Sequence, residues 1–162
     1  MELLYKKIER SALAIIILHA AWIVTRIFIG LQQNRLFTQI EYIQYIMNFD
    51  TLFVMHYANS SLINLMLVFL YVFLFDTYYH KNKLGFYSGL FFISAYAILG
   101  LIANVSQYTH LPILCKQIYT TNLSTTDFSS LYNWIHMAPG SFTQFINAIA
   151  HASISTASII VA

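Results

Sequence analysis

The side chains in this chain that could do chemistry are mostly imidazoles. There are six histidines in 162 residues, and three of them, His19, His56 and His151, fall inside long apolar stretches. His136 stands just before the last of these stretches. A neutral imidazole carries one N–H and one lone pair, so in an apolar setting it either hydrogen-bonds to pack or ligates a metal. Arg26 is the one formal charge in the first stretch, and His19, Ile23 and Arg26 share a helical face at i, i+4, i+7. Two readings of Arg26 stand open. Its guanidinium snorkels to the nearer interface, or it meets an anionic group inside a bundle. No Asp or Glu lies in any of the four stretches, which argues against a carboxylate proton relay and a Glu-x-x-His di-iron site. His80, in DTYYHKNK, reads as solvated, and His110, beside Pro112, reads as a loop histidine.

Composition says where these imidazoles sit. The chain is 59% hydrophobic and 9% charged, with mean hydropathy +0.64, whereas soluble domains carry about 25% charged residues. It reads as an integral membrane protein whose first partner is the lipid bilayer. The net charge is +2 and no basic run is present, which leaves nothing for nucleic acid to bind. Cys115 is the sole cysteine, which excludes an intramolecular disulfide, a CxxC redox pair and a covalent CxxCH haem site. HExxH, GxSxG and phosphate-loop patterns are all missing. The N-terminal MELLYKKIER precedes an apolar run longer than the ~7–15 residues of a signal sequence, so that run is expected to be a retained span.

Hydropathy predicts an all-α, integral-membrane four-helix bundle, one domain over residues 1–162. The spans are expected at 11–31, 51–75, 84–107 and 141–162, with a short interfacial helix over 38–48. Residues 51–75 organise the rest: Leu65 to Phe75 is apolar all round, while His56, Asn59, Ser60, Ser61 and Asn64 must face the interior or a cofactor. Gly85 with Gly89, and Gly100 with Asn104, have the spacing that lets helices approach closely. Residues 108–133 read as a long connection, with a glycosylation sequon at Asn122-Leu-Ser124. Ser141-x-x-Gln144 has the form of a capping box after Pro139 and Gly140, which starts the last helix near Ser141. The alternative is a start near Tyr132 with a kink at Pro139. Lys6, Lys7, Arg10, Lys81 and Lys83 outweigh Arg35 and Lys116, giving both termini inside.

With that topology His19 lies about 12 Å, and His151 about 16 Å, from the inner ends of their spans. His56 and His136 sit near the outer ends. The four sort into an inner pair, His19 with His151, and an outer pair, His56 with His136. Two bis-histidine pairs at two heights are what two haems b need, since imidazole is a good axial ligand for haem iron. Small neighbours of His151, such as Ala148 and Ala152, leave room for a macrocycle. Asn59 and Ser60 are placed to bond the other nitrogen of His56 or a propionate, and Arg26 to neutralise a propionate.

On ILHAAW, MHYANSSLINLML and NWIHMAPGSFTQFINAIAHASIS, the chain resembles the bacterial cytochrome b-561 family over most of its length and span order. The resemblance implies four helices, two haems b, quinol-linked electron transfer to a partner acceptor, and His19, His56, His136 and His151 as axial ligands. A further likeness, to the opening spans of haem–copper oxidase subunits, implies His56 as a sole haem ligand and the chain as a fragment. Two other expectations stand beside these: a non-catalytic accessory subunit of a larger respiratory-type membrane complex, and a channel or carrier along the polar face of the second span. Electron transfer of this kind implies a bacterial or organelle inner membrane.

Overall fold

The computed structural model describes residues 2–33, 39–48, 51–79, 82–120, 131–135 and 140–161. Arg35, His80, Lys81, Asn122, Ser124, His136 and Pro139, which carried expectations above, lie outside the described residues.

Helix α1 runs Glu2–Gln33, longer at its N-terminal end than the expected span. The charged leader continues the helix because it contains no breaker, and Glu2 pairs with Lys6 at 2.7 Å across one turn. At 32 residues α1 is about 48 Å long, more than the ~30 Å hydrocarbon core needs. Helix α2 runs Gln39–Met47, within the stretch 38–48 where a short helix was expected. Helix α3 covers Thr51–Tyr78 and helix α4 Lys83–Tyr108. Asn82 caps α4 by accepting the Gly85 N–H at 2.9 Å.

The expected long connection after α4 instead holds helix α5, His110–Thr120. Pro112 has no N–H for the Tyr108 carbonyl one turn back, so α4 breaks at Thr109 and a new helix starts. Leu111, Cys115 and Ile118, at i, i+4, i+7, are the buried face of α5. Helix α6 spans Phe142–Val161. Gly140 is left-handed, with φ 75°. Ser141 Oγ accepts the Gln144 N–H at 3.1 Å, and the Gln144 side chain reaches back to the Gly140 N–H at 2.6 Å. The helix therefore starts at Ser141. Ile135 is not helical, so a continuous helix from Tyr132 is not formed.

The architecture is an all-α, membrane-associated bundle. Three stretches, Glu2–Leu31, Thr51–Thr77 and Lys83–Thr120, are long and apolar enough to cross a membrane. Helix α1 packs on α3, α3 on α4 and α4 on α6, while α3 meets α6 only narrowly. Lys7 Nζ lies 5.6 Å from the Phe73 ring centroid, so the basic N-terminus and the α3–α4 hairpin share one end. At the other end α2 and α5 pack together as a cap over Phe53 and Tyr57, around Ile43, Ile46, Leu111 and Cys115. A second core, Phe75, Ile93, Tyr96, Ala150 and Ala157, lies toward the hairpin.

The close α3–α4 approach uses two glycines of the expected small-residue set. A methyl on Gly89 would overlap the Phe75 ring, and one on Gly100 would overlap the Asn64 amide. Gly89→Ala and Gly100→Ala should each cost about 1–3 kcal/mol by overpacking. Gly30→Ala, with nothing within 4 Å of the added carbon, should not. Thermal unfolding in detergent separates the three.

The cap has a pH dependence of its own. Burial pushes the Tyr42 phenol from its ordinary value of 10.0 up to about 12; Cys115 adds to the rise and the Arg26 guanidinium opposes it. The folded cap keeps a proton that the unfolded chain releases in that window. Its stability is therefore intact below pH 10 and is lost as pH rises through 12. Tyr42→Phe should flatten that loss in alkaline thermal melts.

Candidate functional site

On α3, His56, Ser60 and Asn64 recur every four residues and form one polar stripe. Its neighbours satisfy it. Thr25 Oγ1, on α1, donates to the Trp22 carbonyl at 3.0 Å, so its lone pair accepts from His56 Nδ1–H at 2.9 Å. A neutral His56 then carries its own lone pair on Nε2. The ring is 4% exposed, stacked on Trp22 at 5.2 Å between centroids and met edge-on by Tyr57 at 5.1 Å. Thr25, rather than Asn59 or Ser60, supports the ring. Asn59 Nδ2 donates to the Leu18 carbonyl at 2.8 Å, and Ser60 Oγ to the His56 carbonyl at 3.0 Å. Deeper along α3, Tyr96 of α4 donates its hydroxyl to Asn64 Oδ1 at 2.6 Å.

These groups border a cleft of about 380 Å³ lined by residues of α1, α3, α4 and α6. Such a volume suits a small-molecule ligand. From α1 come His19, Trp22 and Arg26; from α6, Asn147, His151 and Ile154; from α4, Tyr96 and Asn104. Ile63 and Leu67 of α3, with Ile154, give the hairpin end of the cleft an apolar floor. Helices α1 and α6 are not packed along one another, and both His19 and His151 are exposed. The cleft therefore opens sideways between them.

His19 donates Nδ1–H to the Ile15 carbonyl at 2.9 Å, which leaves the Nε2 lone pair of a neutral ring without a protein partner among the described residues. The His151 ring lies 6.4 Å from Tyr96, centroid to centroid, and its nitrogens make no hydrogen bond among the described residues. The Thr25–His56 and Leu18–Asn59 bonds set an antiparallel register that places His19 about one turn, some 6 Å, further from the cap than His56. Tyr96 touches both Asn64 and His151, which puts His151 roughly another turn along.

The structure thus brings His19, His56, His151 and Arg26 to one cleft. The inner pair, His19 and His151, is about one turn out of level, and His136 lies outside the described residues. Among the described residues no group of three or more His, Cys, Asp or Glu is placed to chelate a bare metal ion. Two imidazoles suffice only for a metal already held by a macrocycle. His110 is away from the cleft, edge-on to Trp134 at 4.6 Å.

Tyr57 and Tyr96 also line the cleft and were not expected there. The Gly89–Ile93–Tyr96–Gly100 spacing, which places Tyr96 on the small-residue face of α4, was the available signal for the second.

No family model, curated protein or solved structure matches the chain. The cytochrome b-561 likeness therefore has no independent support, and the class defined by fold and site is a helical, membrane-spanning bundle with a laterally open polar cleft.

Thr25→Val removes the acceptor for His56 Nδ1–H and should cost about 0.5–2 kcal/mol. Imidazole ¹⁵N shifts should show the Nδ1–H tautomer of His56 in the native chain and lose that signature in the variant.

Proposed function

We propose that the protein is a membrane-embedded b-type cytochrome subunit holding a single haem b in the lateral cleft, with His19 and His151 as axial ligands. The observation that carries this reading is the fixed tautomer of His19. Its Nδ1–H is committed to a backbone carbonyl, the outer-shell arrangement that orients a ligating imidazole and raises its basicity. His151 reaches the same cleft from the other open edge.

The remaining residues fit a flat, mostly apolar group with acidic edges. Ile63, Leu67 and Ile154 supply apolar contact at one end, and Arg26 supplies positive charge at the other. Small Ala148 and Ala152 leave space beside His151. His56 keeps its Nδ1 on Thr25 and its ring between Trp22 and Tyr57, so its part is to pack α1 against α3. When bound, haem supplies one-electron cycling between ferrous and ferric iron. The chain's own task is to hold two neutral imidazoles, exclude water and offer an edge open to the bilayer. A cleft open to lipid suits a quinol-type donor, with a membrane partner as acceptor in an energy-transducing inner membrane. Four spans with both termini inside place the basic N-terminus and hairpin together on the inner side, in keeping with the bias of Lys and Arg.

Expression with haem supplied tests this. The purified protein should carry one haem per chain, with a low-spin spectrum on dithionite reduction. His19→Ala and His151→Ala should each abolish the low-spin signature, and His56→Ala should keep it. A folded preparation that stays colourless after haemin titration would overturn the reading.

A further inference from the structure

Arg26 is half-buried in the cleft, and among the described residues no carboxylate pairs with it. Among the described residues the one ion pair is Lys6 with Glu2, far along α1, and no Asp or Glu lines the cleft. Arg26 follows Thr25, whose bond to His56 places this level about one turn below the start of α3. Its charge acts on Tyr42 in the cap. The guanidinium therefore sits at the cap end of the cleft.

Asn147 lines the opposite wall on α6. Its amide is half-buried and makes no hydrogen bond among the described residues. At the hairpin end the lining turns to Ile63, Leu67 and Ile154. One end thus offers a cation and an amide without partners among the described residues, the other offers alkyl surface, and the cleft opens to the side between α1 and α6. An unpaired cation at this depth is costly, and an anion entering from the bilayer with its own chain offsets that cost.

We propose that the cleft binds an acyl-chain anion, its head on Arg26 and Asn147 and its chain along the Ile63–Leu67–Ile154 floor. The inference stands on the cleft itself and not on the haem reading. It concerns the haem-free chain: an acidic edge of a macrocycle would use the same guanidinium, so haem, once loaded, displaces the acyl anion.

Native mass spectrometry of the full chain in non-ionic detergent tests this, because bound haem and bound lipid add different masses and each reading fails separately. Oleate should add saturably at one per chain, and methyl oleate, which lacks the charge, should not. Arg26→Gln should weaken oleate by about tenfold or more, the usual loss for a charge-assisted hydrogen bond, and Arg26→Lys should restore part of it. Dioleoyl phosphatidic acid in place of oleate distinguishes the source of the anion. Binding of either acid with the Arg26 dependence supports the inference and names the head as carboxylate or phosphate. Equal binding of methyl oleate, or oleate binding indifferent to both Arg26 variants, overturns it, as does the absence of any saturable adduct on folded protein.

Discussion

Hydrocarbon offers no hydrogen-bond partner, so the polar side chains of α3 must be answered from within the protein, Ser60 and Ser61 by their own helix and His56, Asn59 and Asn64 by the helices beside it. That constraint fixes the bundle more firmly than its apolar contacts do. In lipid, apolar side chains gain little by leaving one greasy surface for another, and an interhelical hydrogen bond is worth about 0.6 kcal/mol on average. The bonds matter less for their size than for their direction. Thr25 can accept from His56 Nδ1–H at one register of α1 on α3, and Asn59 reaches the Leu18 carbonyl at the same register. Tyr96 on Asn64 does the same for α4. Slipping any helix by one residue leaves a donor or acceptor in hydrocarbon.

The cleft follows from how those contacts are distributed. Helices α3 and α4 come close because Gly89 admits the Phe75 ring and Gly100 admits the Asn64 amide. Helix α6 then lies on α4, and α1 on α3. Chain order therefore lays the four long helices in a row whose two ends, α1 and α6, face each other across a gap. The α2–α5 cap covers one end of the bundle, and an apolar floor interrupts the polar stripe before the Tyr71–Ser158 hydrogen bond further along. The polar stripe thus ends at Ile63, Leu67 and Ile154, which closes the cleft at its hairpin end.

Much of the fold was legible in the sequence because its signals are local. The uncharged run from Thr51 and the Ser141–Gln144 box each mark a helix by residues within a few positions of each other. Helix α5 was missed because Pro112 and the polar residues around it read as loop, although Leu111, Cys115 and Ile118 form a buried stripe. The grouping of His19, His56, His151 and Arg26 was legible in outline, since each lies in or beside an apolar span. Their heights were not. Counting residues from assumed span ends treats the helices as upright and flush, whereas α1 begins nine residues before the expected span and interhelical hydrogen bonds set the real register. No pattern within one helix encodes that choice.

Three histidines in one cleft are not three equivalent ligands. His56 is enclosed: Thr25 holds Nδ1, and Trp22 and Tyr57 cover the ring. Withdrawing it would undo the α1–α3 contact. His19 is tied on one side alone, by a bond within its own helix that costs the bundle nothing to keep. His151 has no hydrogen bond on its ring among the described residues. The ring best suited to ligate is one whose tautomer is fixed but whose second nitrogen holds nothing together. By that criterion the haem proposal rests on His19 and His151, while the His56 ring is held in the α1–α3 contact. The separation comes from the partners of each ring, which depth below a span end does not reveal.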